Sequence, residues 1–145
     1  MAHPRPERHE GERRTRFTVS SEVARVGEVV EMVVAWCSEH GPLGKTARFR
    51  LCTVVAEAVA NAIIYGNDHD PERLVTIELT CLGDRVVVGV LDEGQGYLPE
   101  QVPDPTLEEC LENTCGRGLY MIRHLADHVA FNAEGNAIWM TLPRC

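Results

Sequence analysis

The sequence of 145 residues lacks the features of a membrane-spanning or exported chain. No apolar run approaches the roughly 20 residues that a membrane-spanning helix needs. The start, MAHPRPERHEGERRTR, contains no apolar segment that could serve as a secretory signal, and no internal repeat is visible. We therefore expect a soluble, cytoplasmic protein, and the length suits one globular domain.

Paired cysteine motifs are also missing. The chain has six cysteines without a CxxC pair, and nothing points to export, so we expect reduced thiols. One arrangement, C-x4-C-x8-H-x3-H, approaches a zinc-finger pattern through Cys110, Cys115, His124 and His128. Its loop is shorter than in the finger pattern, so a zinc site is the less favoured interpretation of this segment.

Basic residues are too few to favour nucleic acid as a partner. Lys and Arg number 14 against 22 Asp and Glu, which gives a formal net charge of -8. Five arginines and three acids lie in the first 16 residues, so the remainder carries about -10. Such a body repels phosphate backbones. Residues 1–15 lack large apolar groups and predict a mobile tail before a single domain over residues 16–145.

Apolar periodicity predicts an α+β fold. A strand at Arg16–Val19 precedes a helix with an apolar face from Val23 to Cys37, which Ser20 or Ser21 could cap. The later elements are a buried helix (51–64), a hairpin (75–80 and 85–91), a helix with an apolar stripe from Leu119 to Val129, and a hairpin turning at Glu134-Gly135-Asn136. This order predicts two layers, with helices on one face of a largely antiparallel sheet.

The helix Leu51–Ile64 is apolar except for three side chains spaced by four: Thr53, Glu57 and Asn61. That spacing places them in one narrow stripe. An ordinary amphipathic helix with a solvated stripe would share the spacing, but solvated stripes usually carry Lys, Arg and several acids. A lone Glu with an Asn one turn later can instead hold a water or hydroxyl and the hydration shell of a metal ion.

A second candidate segment, Asp92-Glu93-Gly94-Gln95-Gly96, follows the apolar strand directly. A hairpin turn would also use Asp and Gly, but it needs only one such glycine. A ligand donor such as an exocyclic amine would satisfy Asp92, and Gly94 and Gly96 would let the backbone approach that ligand.

The third candidate is Gly116-Arg117-Gly118, at the start of a helix. Free backbone N–H groups at a helix start bind anions. The preceding segment, Tyr97–Cys115, contains three prolines among acids, which favours a mobile lid. By itself a GxG before a helix is a weak signal, but here it follows the other two segments.

In this order and spacing, Glu57-x-x-x-Asn61, Asp92-x-Gly94-x-Gly96 and Gly116-x-Gly118 resemble the N, G1 and G2 boxes of the GHKL ATPase superfamily. Within it, the short length and the segments EAVANAIIYGN and DPTLEECLENTCGRGLYMIRHLADHV resemble the anti-sigma factor serine/threonine kinases of the RsbW and SpoIIAB type. The likeness covers about Arg16 to Leu142. It implies the two-layer Bergerat ATP-binding fold.

The resemblance also implies a role for each position. Glu57 would act as a base on the attacking serine hydroxyl or position it, and Asn61 would help coordinate Mg2+ bound to ATP. Asp92 would accept a hydrogen bond from the adenine amine. The other binding positions would shape the base pocket or contact phosphates: Gly94, Gly96, Gly116, Arg117, Gly118 and Leu119.

The resemblance further implies partners. The substrate would be a serine of a STAS-domain anti-anti-sigma factor, and a kinase homodimer would otherwise sequester a sigma factor. Two positions depart from the family: Gly135-Asn136-Ala137 replaces a frequent Gly-Thr-Thr, and Tyr65 replaces a frequent His. The first departure predicts weaker ATP affinity, because a hydroxyl near adenine is missing.

Two other functions stay open. A binding module could keep the ATP pocket yet act only by holding a partner protein. A histidine-kinase-like ATPase domain is less favoured, because the only His-Glu pair, His9-Glu10, lies in the predicted tail.

Overall fold

Five strands and three α-helices make up the part of the chain that the computed structural model describes, residues 11–94 and 117–144, with the backbone alone for Arg117. The strands are β1 (Arg13–Ser20), β2 (Leu74–Leu82), β3 (Arg85–Leu91), β4 (His128–Phe131) and β5 (Ala137–Pro143). The helices are α1 (Val26–Glu39), α2 (Lys45–Asn61) and α3 (Arg117–Leu125). A short 3-10 turn, Val23–Arg25, precedes α1, and a π-helical turn, Ala62–Gly66, follows α2.

The strands form one sheet in the order β1-β2-β3-β5-β4, and every neighbouring pair is antiparallel. Side chains alternate between the two faces of a strand, so in β2 Val75, Ile77, Leu79 and Cys81 are buried while the residues between them are partly exposed. The buried face meets the helices. The predicted α+β class and the order of its elements are confirmed.

Helix α2 lies at the centre of the core, in contact with α1, α3 and β5. Leu51, Val54, Val55 and Val59 are fully buried in it. By length and composition alone, the 22 residues from Lys45 to Gly66 could also cross a membrane. Core helices of globular folds have the same composition, and the buried residues of α2 account for its apolar character.

A buried arginine connects the end of the chain to the α1–α2 turn. The Arg144 guanidinium donates to the carbonyl oxygens of Cys37 (2.7 Å) and Pro42 (3.3 Å), and to the Cys81 sulfur (2.9 Å). A hydrogen bond from the Cys37 thiol, with the nearby guanidinium, lowers the pKa of Cys81 to about 7 against the effect of burial. Both cysteines are free thiols.

The structure corrects three local predictions. Strand β1 begins at Arg13, because residues 13–15, which we placed in the tail, pair with β2. Neither predicted serine caps α1: Ser20 bonds to Glu22, Ser21 bonds to the Arg73 carbonyl, and no side chain caps the helix. The predicted apolar stripes were also too long, since Val23 is 50% exposed and Val129 lies in β4.

Candidate functional site

Glu57 and Asn61 lie one turn apart on α2 and face the first turn of α3. A Cβ atom added to Gly118 would come within 2.5 Å of Glu57 Oε2 and 3.4 Å of Asn61 Nδ2. The first distance is shorter than real Cβ contacts, so a side chain at position 118 would make the flexible end of Glu57 shift. The structure thus brings together two segments that lie about 60 residues apart in the sequence.

Thr53, the third polar residue of the predicted stripe, is not part of this contact. Its hydroxyl donates to the carbonyl of Phe49 one turn earlier, at 2.9 Å. Such a bond satisfies a threonine inside a helix locally. The polar stripe that faces α3 therefore consists of Glu57 and Asn61, both partly buried.

Asp92 follows the last residue of β3 and lies against the hairpin between β4 and β5. Its backbone N–H donates to the Asn136 carbonyl at 2.8 Å, and its Oδ1 accepts from the Gly94 N–H at 2.8 Å. Burial raises the pKa of the Asp92 carboxyl to about 6, although the Gly94 hydrogen bond and the charge of Arg73 oppose the rise. A hydrogen-bond donor on a ligand would stabilise the charged form of a carboxylate that is held partly out of water.

Two glycines allow the Asp92 carboxylate to occupy this position. A Cβ on Gly66 would collide with the Asp92 carboxylate, and a Cβ on Gly94 would collide with the Gly66 carbonyl. Gly94 was predicted to let the backbone approach a ligand, and in the structure it also lies close to the backbone of Gly66. Gly66 was not predicted, although a glycine directly after an apolar helix, in IIYGN, was the available signal.

An open, mainly apolar pocket lies beside Asp92. Its walls come from α2, the turn after it, β3 and the last hairpin: Ala58, Ala62, Val90, Phe131, Gly135, Asn136, Ala137 and Ile138. Gly135 has a φ of 73°, in the left-handed region that favours glycine, so the hairpin can turn tightly here. Apolar walls with one acid suit a flat, largely apolar ring that carries a donor.

The pocket and the contact with Gly118 share one helix. Ala58 and Ala62 line the pocket, and their sequence neighbours Glu57 and Asn61 contact Gly118. On a helix these two pairs form adjacent stripes, because successive residues are rotated by about 100°. A ligand that fills the pocket can therefore extend along α2 to the start of α3.

Asn67, which was not predicted, is fully buried and connects three segments around Asp92. Its Nδ2 donates to Ser21 Oγ (2.8 Å) and to the Leu74 carbonyl (3.0 Å), and its Oδ1 accepts from the Glu93 N–H (2.8 Å). These bonds join the start of β2 to the end of β3. A polar residue at the end of an apolar helix was the available signal, but its partners lie on other elements.

Several predicted positions lie outside the described residues: Gly96, Gly116, the segment Tyr97–Cys115, and two of the four zinc candidates, Cys110 and Cys115. Leu119 is 4% exposed, so any contact with a phosphate would use its backbone N–H. Nδ1 of His124 lies 2.9 Å from the Tyr120 carbonyl oxygen, its neighbour on α3.

The donor atoms near Gly118 fit a cation that is held jointly with phosphates. Glu57 and Asn61 offer hard oxygen ligands, and the first backbone N–H groups of an α-helix such as α3 have no partners within the helix. Within residues 11–94 and 117–144, no group of three or more His, Cys, Asp or Glu could hold a metal ion. Mg2+ usually binds through one or two side chains plus substrate phosphates, and this donor set fits that mode.

Comparison with known proteins is consistent with this geometry. The family described as "Histidine kinase-like ATPase domain" matches residues 19–142. The anti-sigma F factor of Oceanobacillus iheyensis is 33% identical over 95 residues (61% of this chain, 64% of that protein). That of Geobacillus stearothermophilus is 37% identical over 87 residues (58% and 59%), so these two matches span about three-fifths of the relatives' length. That of Geobacillus thermodenitrificans is 30% identical over 132 residues (89% and 80%).

Proposed function

The chain belongs to the histidine kinase-like ATPase domain family, and from that premise we propose that it is an ATP-dependent serine/threonine kinase of the anti-sigma type. Its substrate would be a serine on a STAS-domain anti-anti-sigma factor, and it would sequester a sigma factor in the cytoplasm as a homodimer. The observation that carries the proposal is the approach of Gly118 to Glu57 and Asn61, next to the pocket at Asp92.

ATP would bind with its base in the pocket and its phosphates at the start of α3. Asp92 offers an acceptor to the exocyclic amine of adenine, and Ala58, Ala62 and Val90 supply apolar walls for the ring. The first turn of α3 would offer backbone N–H groups to phosphates, and Gly118 lets Glu57 and Asn61 approach that turn. The adjacent stripes of α2 support this orientation.

Asn61 would help hold Mg2+, whose charge would offset that of the phosphates. Glu57 would accept the proton of the attacking serine hydroxyl, or orient that hydroxyl for attack. Its location supports the role, because Glu57 is the only carboxylate from Leu51 to Ile64 and it faces the start of α3. The N–H groups of α3 would bind the transferred phosphate.

The test is the variant Glu57→Gln, which keeps the shape and a hydrogen-bonding end but removes the base. It should bind ATP and sigma factor like the parent, yet lose roughly 100-fold in phosphate transfer from radiolabelled ATP to the STAS partner. Glu39→Gln is the matched control, because Glu39 is exposed at the end of α1. Undiminished transfer by Glu57→Gln would exclude Glu57 as the base.

The same assay separates the kinase from the binding module. Sigma binding by the parent protein without transfer to any STAS partner would favour the binding module. Pull-down from the native cytoplasm with and without ATP, followed by mass spectrometry, would supply the partners for that assay.

A further inference from the structure

Two buried cysteines outside the pocket contact one arginine, and the proposed function uses neither of them. Cys37 is the last buried residue of α1, and Cys81 lies on the buried face of β2. Both are free thiols, with 0% and 3% of their surface exposed. We propose that they form a peroxide-reactive site, in which a Cys81 thiolate is oxidised and Cys37 then closes a disulfide with it. The inference does not depend on the proposed kinase function.

The guanidinium of Arg144 contacts both cysteines. Its Nη1 donates to the Cys81 sulfur at 2.9 Å, and its Nη2 donates to the Cys37 carbonyl oxygen at 2.7 Å. The Cys37 thiol also donates to the Cys81 sulfur. The Cys81 sulfur therefore accepts from two donors, one of them charged, whereas a neutral thiol is only a weak acceptor. This arrangement is the one expected around a thiolate.

Charge balance also favours a thiolate at Cys81. Arg144 is buried, and a guanidinium keeps its charge at any ordinary pH. The ion pairs among residues 11–94 and 117–144 do not include Arg144, so the sulfur that it contacts is the group that can offset its charge. The hydrogen bond from Cys37 and the charge of Arg144 lower the pKa of Cys81 to about 7 although burial opposes them. About half of Cys81 is therefore thiolate at neutral pH.

Cys37 has the opposite character. Its hydrogen bond to Cys81, together with burial, raises the pKa of the Cys37 thiol, so this residue keeps its proton. A thiolate beside a thiol supplies both groups that a reversible oxidation needs, a nucleophile and a resolving cysteine. Since the two side chains already contact each other through their sulfur atoms, a disulfide needs only a small shift of both.

The reaction has two steps and consumes one peroxide. In the first, the Cys81 sulfur attacks one peroxide oxygen and the O–O bond breaks. The departing oxygen takes a proton from solvent and becomes an alcohol, or water when the reactant is hydrogen peroxide, and Cys81 becomes a sulfenic acid. In the second step the Cys37 sulfur loses its proton and attacks Cys81, the S–O bond breaks, and the hydroxyl leaves with that proton as water. The two sulfurs lose two electrons in total, and the peroxide gains them.

The surroundings of the pair allow a small oxidant to enter. The Arg144 side chain lies against Gly41 and donates to the carbonyl of Pro42, which is exposed, so only the turn between α1 and α2 covers it on this side. Cys81 also pairs with Arg13, the first residue of the edge strand β1. Strand ends and turns open more readily than the centre of a core. Such openings would admit hydrogen peroxide before bulkier reagents.

The experiment treats the full chain with hydrogen peroxide at pH 7, alkylates the remaining thiols in urea, and identifies each cysteine by peptide mass spectrometry. We expect one pair of peptides joined through Cys37 and Cys81, which dithiothreitol separates. The oxidised protein should melt about 5–10 °C higher than the reduced one, because the bond closes a long loop of the unfolded chain. Cys52→Ser is the matched control, since Cys52 is a partly exposed free thiol of α2, and this variant should form the same link.

Four variants separate the steps. Cys37→Ser should stop at the sulfenic acid, which dimedone labels at Cys81 once the chain is unfolded, and Cys81→Ser should leave Cys37 as a thiol. Arg144→Gln should slow the loss of the Cys81 thiol about fivefold or more, because a thiol of ordinary pKa contains far less thiolate at pH 7. Arg144→Lys keeps the charge and should restore most of the parental rate. Thermal unfolding checks that each variant folds.

The parent protein alone can overturn the proposal. If Cys37 and Cys81 both remain thiols after peroxide treatment, the site does not exist, whether or not Cys52 is oxidised. A disulfide from Cys81 to any other cysteine would overturn the pairing with Cys37. Equal rates in the parent, Arg144→Gln and Arg144→Lys would overturn the role of Arg144 in forming the thiolate.

Discussion

Replacing Asp92 with Asn should weaken nucleotide binding while making the empty protein more stable. Oδ1 of Asp92 accepts from the Gly94 N–H, so an Asn must turn its own oxygen toward Gly94 to keep that bond. Its NH2 group then faces the ligand amine, and because both groups are donors they cannot form a hydrogen bond. Losing a hydrogen bond to a charged group costs about 1.5–3 kcal/mol, which corresponds to about 10- to 100-fold in affinity.

The gain in stability follows from burial of the carboxylate. Burial raises the folded-state pKa of Asp92 from 3.8 to about 6. Between these values the folded protein binds more protons than the unfolded chain, so its free energy of unfolding falls as pH rises from about 4 to 6. The full shift corresponds to about 3 kcal/mol, and we expect about 1–2 kcal/mol because Asp92 is only partly buried. Asp92→Asn should therefore be more stable than the parent at pH 7 and lose this advantage near pH 4.

Calorimetric titration with ATP and urea denaturation at several pH values measure the two effects. Asp84→Asn is the matched control, because Asp84 is exposed in the turn between β2 and β3 and should change neither quantity. ATP affinity of the parent should also fall as the pH drops through about 6, where Asp92 gains a proton. Equal ATP affinity in variant and parent would remove Asp92 from the base site, and an unchanged stability at pH 7 would refute the cost of burying its charge.

Three further substitutions test other contacts. Gly118→Ala should push the Glu57 carboxylate aside and lower phosphate transfer at least tenfold in the transfer assay. Alanine has the higher helix propensity, so thermal unfolding should show α3 stabilised by up to about 1 kcal/mol. Unchanged phosphate transfer would contradict the contact between Gly118 and Glu57. Asn67→Ala should lower the free energy of unfolding in urea by about 2–4 kcal/mol, because it removes three hydrogen bonds made by a fully buried side chain, and ATP affinity should fall with it. A loss below 0.5 kcal/mol, on the order of an ordinary surface substitution, would refute the role of Asn67. Arg144→Ala should cost about 2–4 kcal/mol in the same assay with ATP affinity retained, whereas Arg123→Ala on the exposed side of α3 should cost nothing measurable.

The periodicity of apolar residues and the residue types at turns were sufficient to predict the helices and strands of the fold. Strand β3 begins and ends where the alternation from Arg85 to Leu91 predicts, because one of its faces is buried along its whole length. The start of α1 was misread because capping depends on where a serine hydroxyl points. The Ser21 hydroxyl donates to the carbonyl of Arg73, about 50 residues away, and the local sequence does not indicate that partner.

The residues of the candidate site also fall into those that local sequence indicates and those that depend on distant partners. Spacing within a helix indicated Glu57 and Asn61, and position at a strand end indicated Asp92, because these signals are local. Gly66 and Asn67 were not predicted, because the contacts that explain them are made with residues distant in sequence. Gly66 lies against the Asp92 carboxylate, and Asn67 accepts from the Glu93 N–H.

The turn at the end of α2 explains why the base and phosphate ends of the proposed site depend on each other. The helix widens into a π-helical turn over Ala62–Gly66, and that turn brings the backbone of Gly66 against the Asp92 carboxylate. One turn earlier, Asn61 lies against Gly118. A shift of α2 along its axis would therefore disturb both ends together, because one rigid element positions Asp92 from one side and the start of α3 from the other. Packing of α2 against α1, α3 and β5 opposes such a shift, so it would hold the proposed base pocket and the proposed phosphate site at a constant distance.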